Sequence, residues 1–209
     1  MSATPLDHLE GVAAAILRPN INTDVIAPPP RGGKADAYGG PDEGASRVFG
    51  PWRYAEDGSL RADFVLNREP YRNARFLVVG PNFACGSSRE TAPRWLRDFG
   101  IRCIVAPSFG GIFYDNCFRN GLLPIVADEE VTREFAAMAE AGQLFVLDLA
   151  EGFLAAGDVR IPIVLPAFRR QLLLTGSDEL GLTMSHQAAI TAYQQAARAR
   201  TPWIWPAHA

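Results

Sequence analysis

From Arg75 onward the sequence alternates short apolar runs with helical segments, and this alternation constrains the fold more than any other feature. Residues 76–79 form a short apolar run that leaves into a glycine-rich turn, and 93–99 read as a helix stopped by Gly100. Residues 101–106 predict the next strand, and 111–120 a helix with Gly121 as its stop. Residues 122–126 predict a strand, 131–141 a helix and 144–149 a further strand. Strands that alternate with helices pair in parallel and build an α/β layer. Runs 159–165 and 168–174, separated by Pro166 and Ala167, predict two added strands rather than another βα unit. Residues 185–200 predict an amphipathic C-terminal helix with Ser185 as its N-cap. No internal repeat is present, and 1–209 reads as one domain.

Before this region, residues 27–51 carry three successive prolines and repeated glycines with no apolar period, which predicts a long flexible loop. Such loops are functional or solvated linkers, and the ordered flanks favour a binding loop. With 209 residues, 48% of them hydrophobic, the chain can bury a full core. No apolar run approaches the roughly 20 residues of a membrane helix. The first fifteen positions lack the basic start of a secretory signal, so a cytoplasmic protein is expected. A net charge of −3 argues against a nucleic-acid partner. Cys85, Cys103 and Cys117 are odd in number, with no C-x-x-C pair, which argues against a disulfide framework, a zinc site or a complete iron–sulfur ligand set. Cys103 and Cys117 lie in apolar runs and are expected in the core.

Residues 76–90 carry the most chemistry. A buried strand leaves through a glycine-punctuated turn into a helix, so main-chain amides at the helix start are expected to face the turn and make it an anion site. Ser87, Ser88 and Arg89 add two hydroxyls and a guanidinium fork, the donors suited to a carboxylate. Helix capping, with Ser88 as N-cap and Glu90 in the first turn, accounts for one serine and the glutamate but not for Ser-Ser-Arg together. Cys85 beside a helix start could be an activated thiol. The three histidines, His8, His186 and His208, supply no recognisable Cys–His signature.

Four ordered blocks carry a family resemblance: Asn20-Ile21-Asn22-Thr23-Asp24, then Asn82-Phe83-Ala84-Cys85-Gly86-Ser87-Ser88-Arg89-Glu90, the stretch 106–124, and Leu174-Thr175-Gly176-Ser177-Asp178-Glu179-Leu180-Gly181-Leu182-Thr183. Together they resemble the small subunit of 3-isopropylmalate dehydratase, which is similar to the swivelling domain of aconitase on a separate chain. The resemblance implies an α/β fold of the swivelling β/β/α type. It also implies docking, as a heterodimer or higher assembly, on a large subunit that holds a [4Fe–4S] cluster, with no metal on this chain. The cluster's open iron would act as a Lewis acid on a dicarboxylate substrate.

By motif position Ser87 would abstract the proton alpha to a carboxylate, with Ser88 and Arg89 binding substrate. A serine needs donors and positive charge to act as a base, which Arg89 and nearby amides could supply. Asp24 would support the site wall, an Asx-turn being the alternative. Arg31 would approach a second carboxylate or stay solvated. Two positions depart from the family pattern: Thr91, a supporting position, stands where a histidine is common, and residues 27–34 read Ala-Pro-Pro-Pro-Arg-Gly-Gly-Lys where a basic-aromatic stretch is usual. The implied activity is a hydro-lyase interconverting 2- and 3-isopropylmalate in leucine biosynthesis. The same chemistry on another substituted malate, or a non-catalytic carboxylate-binding or subunit-interaction module, remains open.

Overall fold

The computed structural model describes residues 4–29, 44–86, 88–177 and 179–205. The chain begins with β1 (His8–Ile16), the single turn α1 (Thr23–Ile26) and, after residue 44, the short α2 (Gly50–Arg53). Then β2 (Phe76–Val79), α3 (Thr91–Phe99), β3 (Cys103–Ala106), α4 (Gly111–Arg119), β4 (Leu123–Val126) and α5 (Glu129–Glu140) alternate as the apolar pattern predicts. A meander of β5 (Leu144–Asp148), β6 (Phe153–Ala156) and β7 (Val159–Pro162) follows. The described chain ends in three helices, α6 (Ala167–Thr175), α7 (Glu179–Ser185) and α8 (Gln187–Arg200).

The seven strands run in the order β4-β3-β2-β1-β5-β6-β7. β1 to β4 are parallel, with Ala13 opposite Phe76 and Ile16 opposite Val79, and Phe76 opposite Cys103. β1 also pairs antiparallel with β5, placing His8 opposite Asp148, and β5, β6 and β7 continue antiparallel. β1 is thus the seam between a parallel and an antiparallel half. No helix among the described residues is long and apolar enough to cross a membrane.

Side chains on a strand alternate between faces, so a strand covered on both sides must be apolar at every position. β2 shows this: Leu77 and Val79 enter a cluster with Phe49, Phe83, Trp95 and Leu96. Phe76 and Val78 enter another with Phe135, Phe145 and Leu154. β3 repeats the division, Ile104 and Ala106 on the first face and Cys103 and Val105 on the second. In the second cluster the Phe145 ring lies 5.5 Å from Phe76 and 5.4 Å from Phe135, all three rings fully buried.

Three sequence expectations are corrected. Residues 168–174 form helix α6, not a strand, because the buried leucines, Leu172 and Leu173, are adjacent instead of alternate, and the Arg170 guanidinium donates to the carbonyls of Leu149 and Ala150. The loop expected over 27–51 is core at its C-terminal end: Val48 and Phe49 have no exposed surface, and Arg53 gathers the carbonyls of Ala45, Ser46 and Val48 while donating from Nε to Asn67 Oδ1 at 3.1 Å. The helix expected over 185–200 is broken at His186, and Ser185, instead of capping, ends α7 with its hydroxyl donating to Leu182 O at 2.6 Å.

Phe145→Ala should lower unfolding free energy by about 3–5 kcal/mol, the cost of a cavity at a fully packed ring. The shift in urea midpoint at unchanged slope checks this.

Candidate active site

Parallel strands present their C-terminal ends as the natural place for a ligand, and here three loops from those ends are stitched together. They are residues 17–23 after β1, 80–86 with 88–90 after β2, and 107–110 after β3. The middle loop is held on both flanks by main-chain bonds. Thr23 N–H donates to Cys85 O at 3.0 Å, Phe83 N–H donates to Ser108 O at 3.0 Å, and Gly110 N–H donates to Phe83 O at 2.8 Å. Asn82 adds two bonds, its N–H donating to Ser108 Oγ and its amide nitrogen to Asn20 Oδ1, each at 2.8 Å.

This stitching holds a backbone that side-chain-bearing residues rarely adopt. Asn20, Asn82 and Ala84 all sit at φ 56° and Gly86 at φ 98°. Asparagine tolerates the left-handed region, but alanine there costs roughly 1–2 kcal/mol, which the neighbouring bonds offset. A Cβ on Gly110 would stand 2.5 Å from Ala84 O, so the third loop approaches the second as closely as a bare backbone allows. Beneath them Phe83, Phe109 and Phe113 pack at 5.5 to 6.3 Å between ring centroids and fix the floor.

Arg89 reaches from this loop to α1. Its Nη2 lies 2.9 Å from Asp24 Oδ1, and its Nη1 donates to Ala27 O at 3.2 Å. With side chains 32% and 54% exposed the pair contributes little to stability; together with the bond to Ala27 O it holds the guanidinium against α1. Asp24 therefore supports the arginine, and the Asx-type capping bond belongs to Asn22, whose Oδ1 accepts from Val25 N at 3.0 Å. Ser88 is exposed beside Arg89, and Thr91 opens α3 half-buried. Ser88 is not the N-cap: that position is Glu90, with no side-chain bond, because α3 starts at Thr91. Ser87 and Arg31 lie outside the described residues.

The sequence reading gave no site role to Asn20, Asn22, Asn82, Ser108 and Gly110. Asn22 before a short helix is a legible cap signal, and paired asparagines admit left-handed turns, but the cross-loop partners are set only by strand order.

Cys103 and Cys117 are fully buried, as their apolar runs predict, and burial pushes both thiols well up, so neither is a ready thiolate ligand. Among the described residues no group of three or more His, Cys, Asp or Glu is placed to hold a metal ion. The donor set among the described residues does not fit an iron–sulfur cluster.

A parallel half-sheet joined through β1 to an antiparallel meander, with stitched loops at the strand ends, defines an aconitase-type swivel domain. A family model described as the aconitase C-terminal domain matches residues 44–130, and one for the C-terminal domain of the 3-isopropylmalate dehydratase small subunit matches 180–206. The 3-isopropylmalate dehydratase small subunit of Rhodospirillum centenum is 44% identical, over 93% of this chain and 96% of its own. That of Nitrobacter winogradskyi is 45% identical at the same coverage. A solved 3-isopropylmalate dehydratase structure from Methanocaldococcus jannaschii superposes with a TM-score of 0.61 at 25% identity, covering 89% of this chain and 99% of that one. The chain belongs to the 3-isopropylmalate dehydratase small-subunit family.

Gly110→Ala has an allowed backbone (φ −60°) but no room. It should destabilise the protein by about 1–3 kcal/mol as an overpacked contact, read as a lowered thermal midpoint.

Proposed function

We propose that this chain works in the cytoplasm as the small subunit of a hydro-lyase that interconverts 2- and 3-isopropylmalate in leucine biosynthesis. In this reading it acts docked on a large subunit that holds the [4Fe–4S] cluster. The observation that carries the reading is the end-to-end likeness to small subunits of this enzyme, 44% identity over 93% of the chain. The placement of Arg89 supports it, since its guanidinium is held by Asp24 and a main-chain carbonyl among the loops at the strand ends, and a guanidinium is the side chain suited to a carboxylate.

The roles follow from the residue chemistry. Arg89 and Ser88 bind one carboxylate, and Asp24 keeps Arg89 in place. Ser87 takes the proton from the carbon alpha to that carboxylate, the hydroxyl leaves to give the alkylmaleate, and rehydration returns both with positions exchanged. Thr91 lines the wall behind the arginine. The cluster on the large subunit supplies Lewis acidity toward the substrate's hydroxyl.

Co-expression with a candidate large subunit under anaerobic conditions, followed by assay of several alkylmalates, tests the reading. Isomerase activity in the co-purified complex is expected, and its absence with an intact cluster overturns it. Ser87→Ala should lower kcat by about 10²–10⁴-fold, the range of a lost general base, while the subunits still assemble. Arg89→Lys should raise KM, because an ammonium cannot replace the fork.

Residues 27–51 of the single swivel domain are proposed as the substrate selector, with Arg31 facing a second carboxylate. The buried Val48 and Phe49 confine the selecting part to the residues before them. Exchange of 27–47 for a typical family sequence should change the ranking of alkylmalates in kcat/KM by about 10–200-fold, the discrimination one methylene affords. An unchanged ranking would mean that selection lies elsewhere.

A further inference from the structure

The C-terminal segment 179–205 is built unlike the rest of the chain. α8 is 14 residues long, yet Ala197 is its one buried residue. Its principal neighbours are α7 and the 3-10 turn Pro202–Ile204, members of the same segment, rather than the sheet. Leu180, Met184, Tyr193, Trp203 and Ile204 are all exposed, Trp203 at 78%. Five large apolar side chains left in water on one short arm mark an interaction surface, and aromatic residues are the ones enriched at the buried centre of interfaces.

The segment's own fold is nevertheless consolidated. The Arg198 guanidinium lies 5.1 Å from the Trp205 ring centre, and Thr201 Oγ1 donates to Ala197 O at 2.9 Å. The arm is therefore presented as a formed element rather than as a loose tail.

Two observations say what covers it. The body of the chain matches a description shared with aconitase, residues 44–130, whereas the arm, 180–206, matches one specific to a dehydratase small subunit. The arm is thus the part that accompanies the role of subunit. Its charge is also distinct: the chain carries a net charge of −3, yet after Glu179 the arm holds Arg198 and Arg200 with no further acid.

We infer that α7, α8 and the turn after them are the anchor that docks on the large subunit, in an apolar groove with an acidic rim. This rests on the reading of the chain as a small subunit. The anchor is separate from the loops that carry Asp24 and Arg89, so holding the partner and handling substrate are assigned to different parts of the chain.

The test uses the full chain with the large subunit, by anaerobic titration of binding. The double substitution Tyr193→Asp with Trp203→Asp should weaken association on the order of thirtyfold or more, the effect of losing an interface hot spot. The thermal midpoint of the isolated chain should be unchanged, because both side chains are exposed. Arg200→Glu should weaken association more at low salt than at high salt. If the wild-type chain fails to bind the large subunit, the small-subunit reading itself falls. If it binds and the double variant binds as tightly, the anchor inference is overturned while that reading stands. Wild-type self-association that the double variant abolishes, with binding to the large subunit intact, would assign the arm to a second copy and overturn the inference as well.

Discussion

The hydrogen bonds that tie residues 82–85 to Thr23, Ser108 and Gly110 are what the candidate site depends on. Three loops leave neighbouring parallel strands, and each alone would be a flexible turn. Joined through main-chain groups, they behave as one short extension of the sheet beyond its ordinary end. The strain of Ala84 at positive φ is borne because the main-chain bonds on either side of it hold the loop in place. Strand order does the rest: β2 lies between β1 and β3, so the loop after β2 is the one with a neighbour on each side.

How far this could be read from the sequence follows from where each signal lies. β2, β3, β4 and the helices between them were legible because each strand is apolar throughout and each helix ends at a turn residue. β1 was not, since its centre runs Ala13-Ala14-Ala15, small side chains with little strand preference of their own. α6 was misread because a cluster of leucines beside Pro166 fits a strand or a helix equally until the adjacent burial of Leu172 and Leu173 is seen. The buried end of the long loop was hidden in the same way. Phe49 sits among glycines and prolines, and its stacking on Trp52 at 5.8 Å and packing with Phe64 at 5.9 Å come from tertiary structure alone.

At the candidate site the donor types are legible in the sequence and the wiring between them is not. Ser-Ser-Arg after a strand points to a carboxylate from donor types alone. That Asp24, far earlier in the chain, would hold Arg89 depends on α1 lying against the loop after β2, which no local pattern encodes. The expected helix-start amides also moved: α3 begins at Thr91, beyond Arg89, so Ser88 and Arg89 precede the helix instead of forming its first turn.

The pairing of Arg89 with Asp24 has a bearing on which anions the site can hold. Cation and carboxylate together carry no net charge, so a small inorganic anion gains little by approaching on charge alone. Both terminal nitrogens of the guanidinium already have partners, Nη2 in Asp24 and Nη1 in the Ala27 carbonyl, so an arriving anion competes with groups in place. The candidate site is therefore no bare cationic trap: chloride or phosphate drifting in from solvent meets a neutral pair rather than an open positive charge.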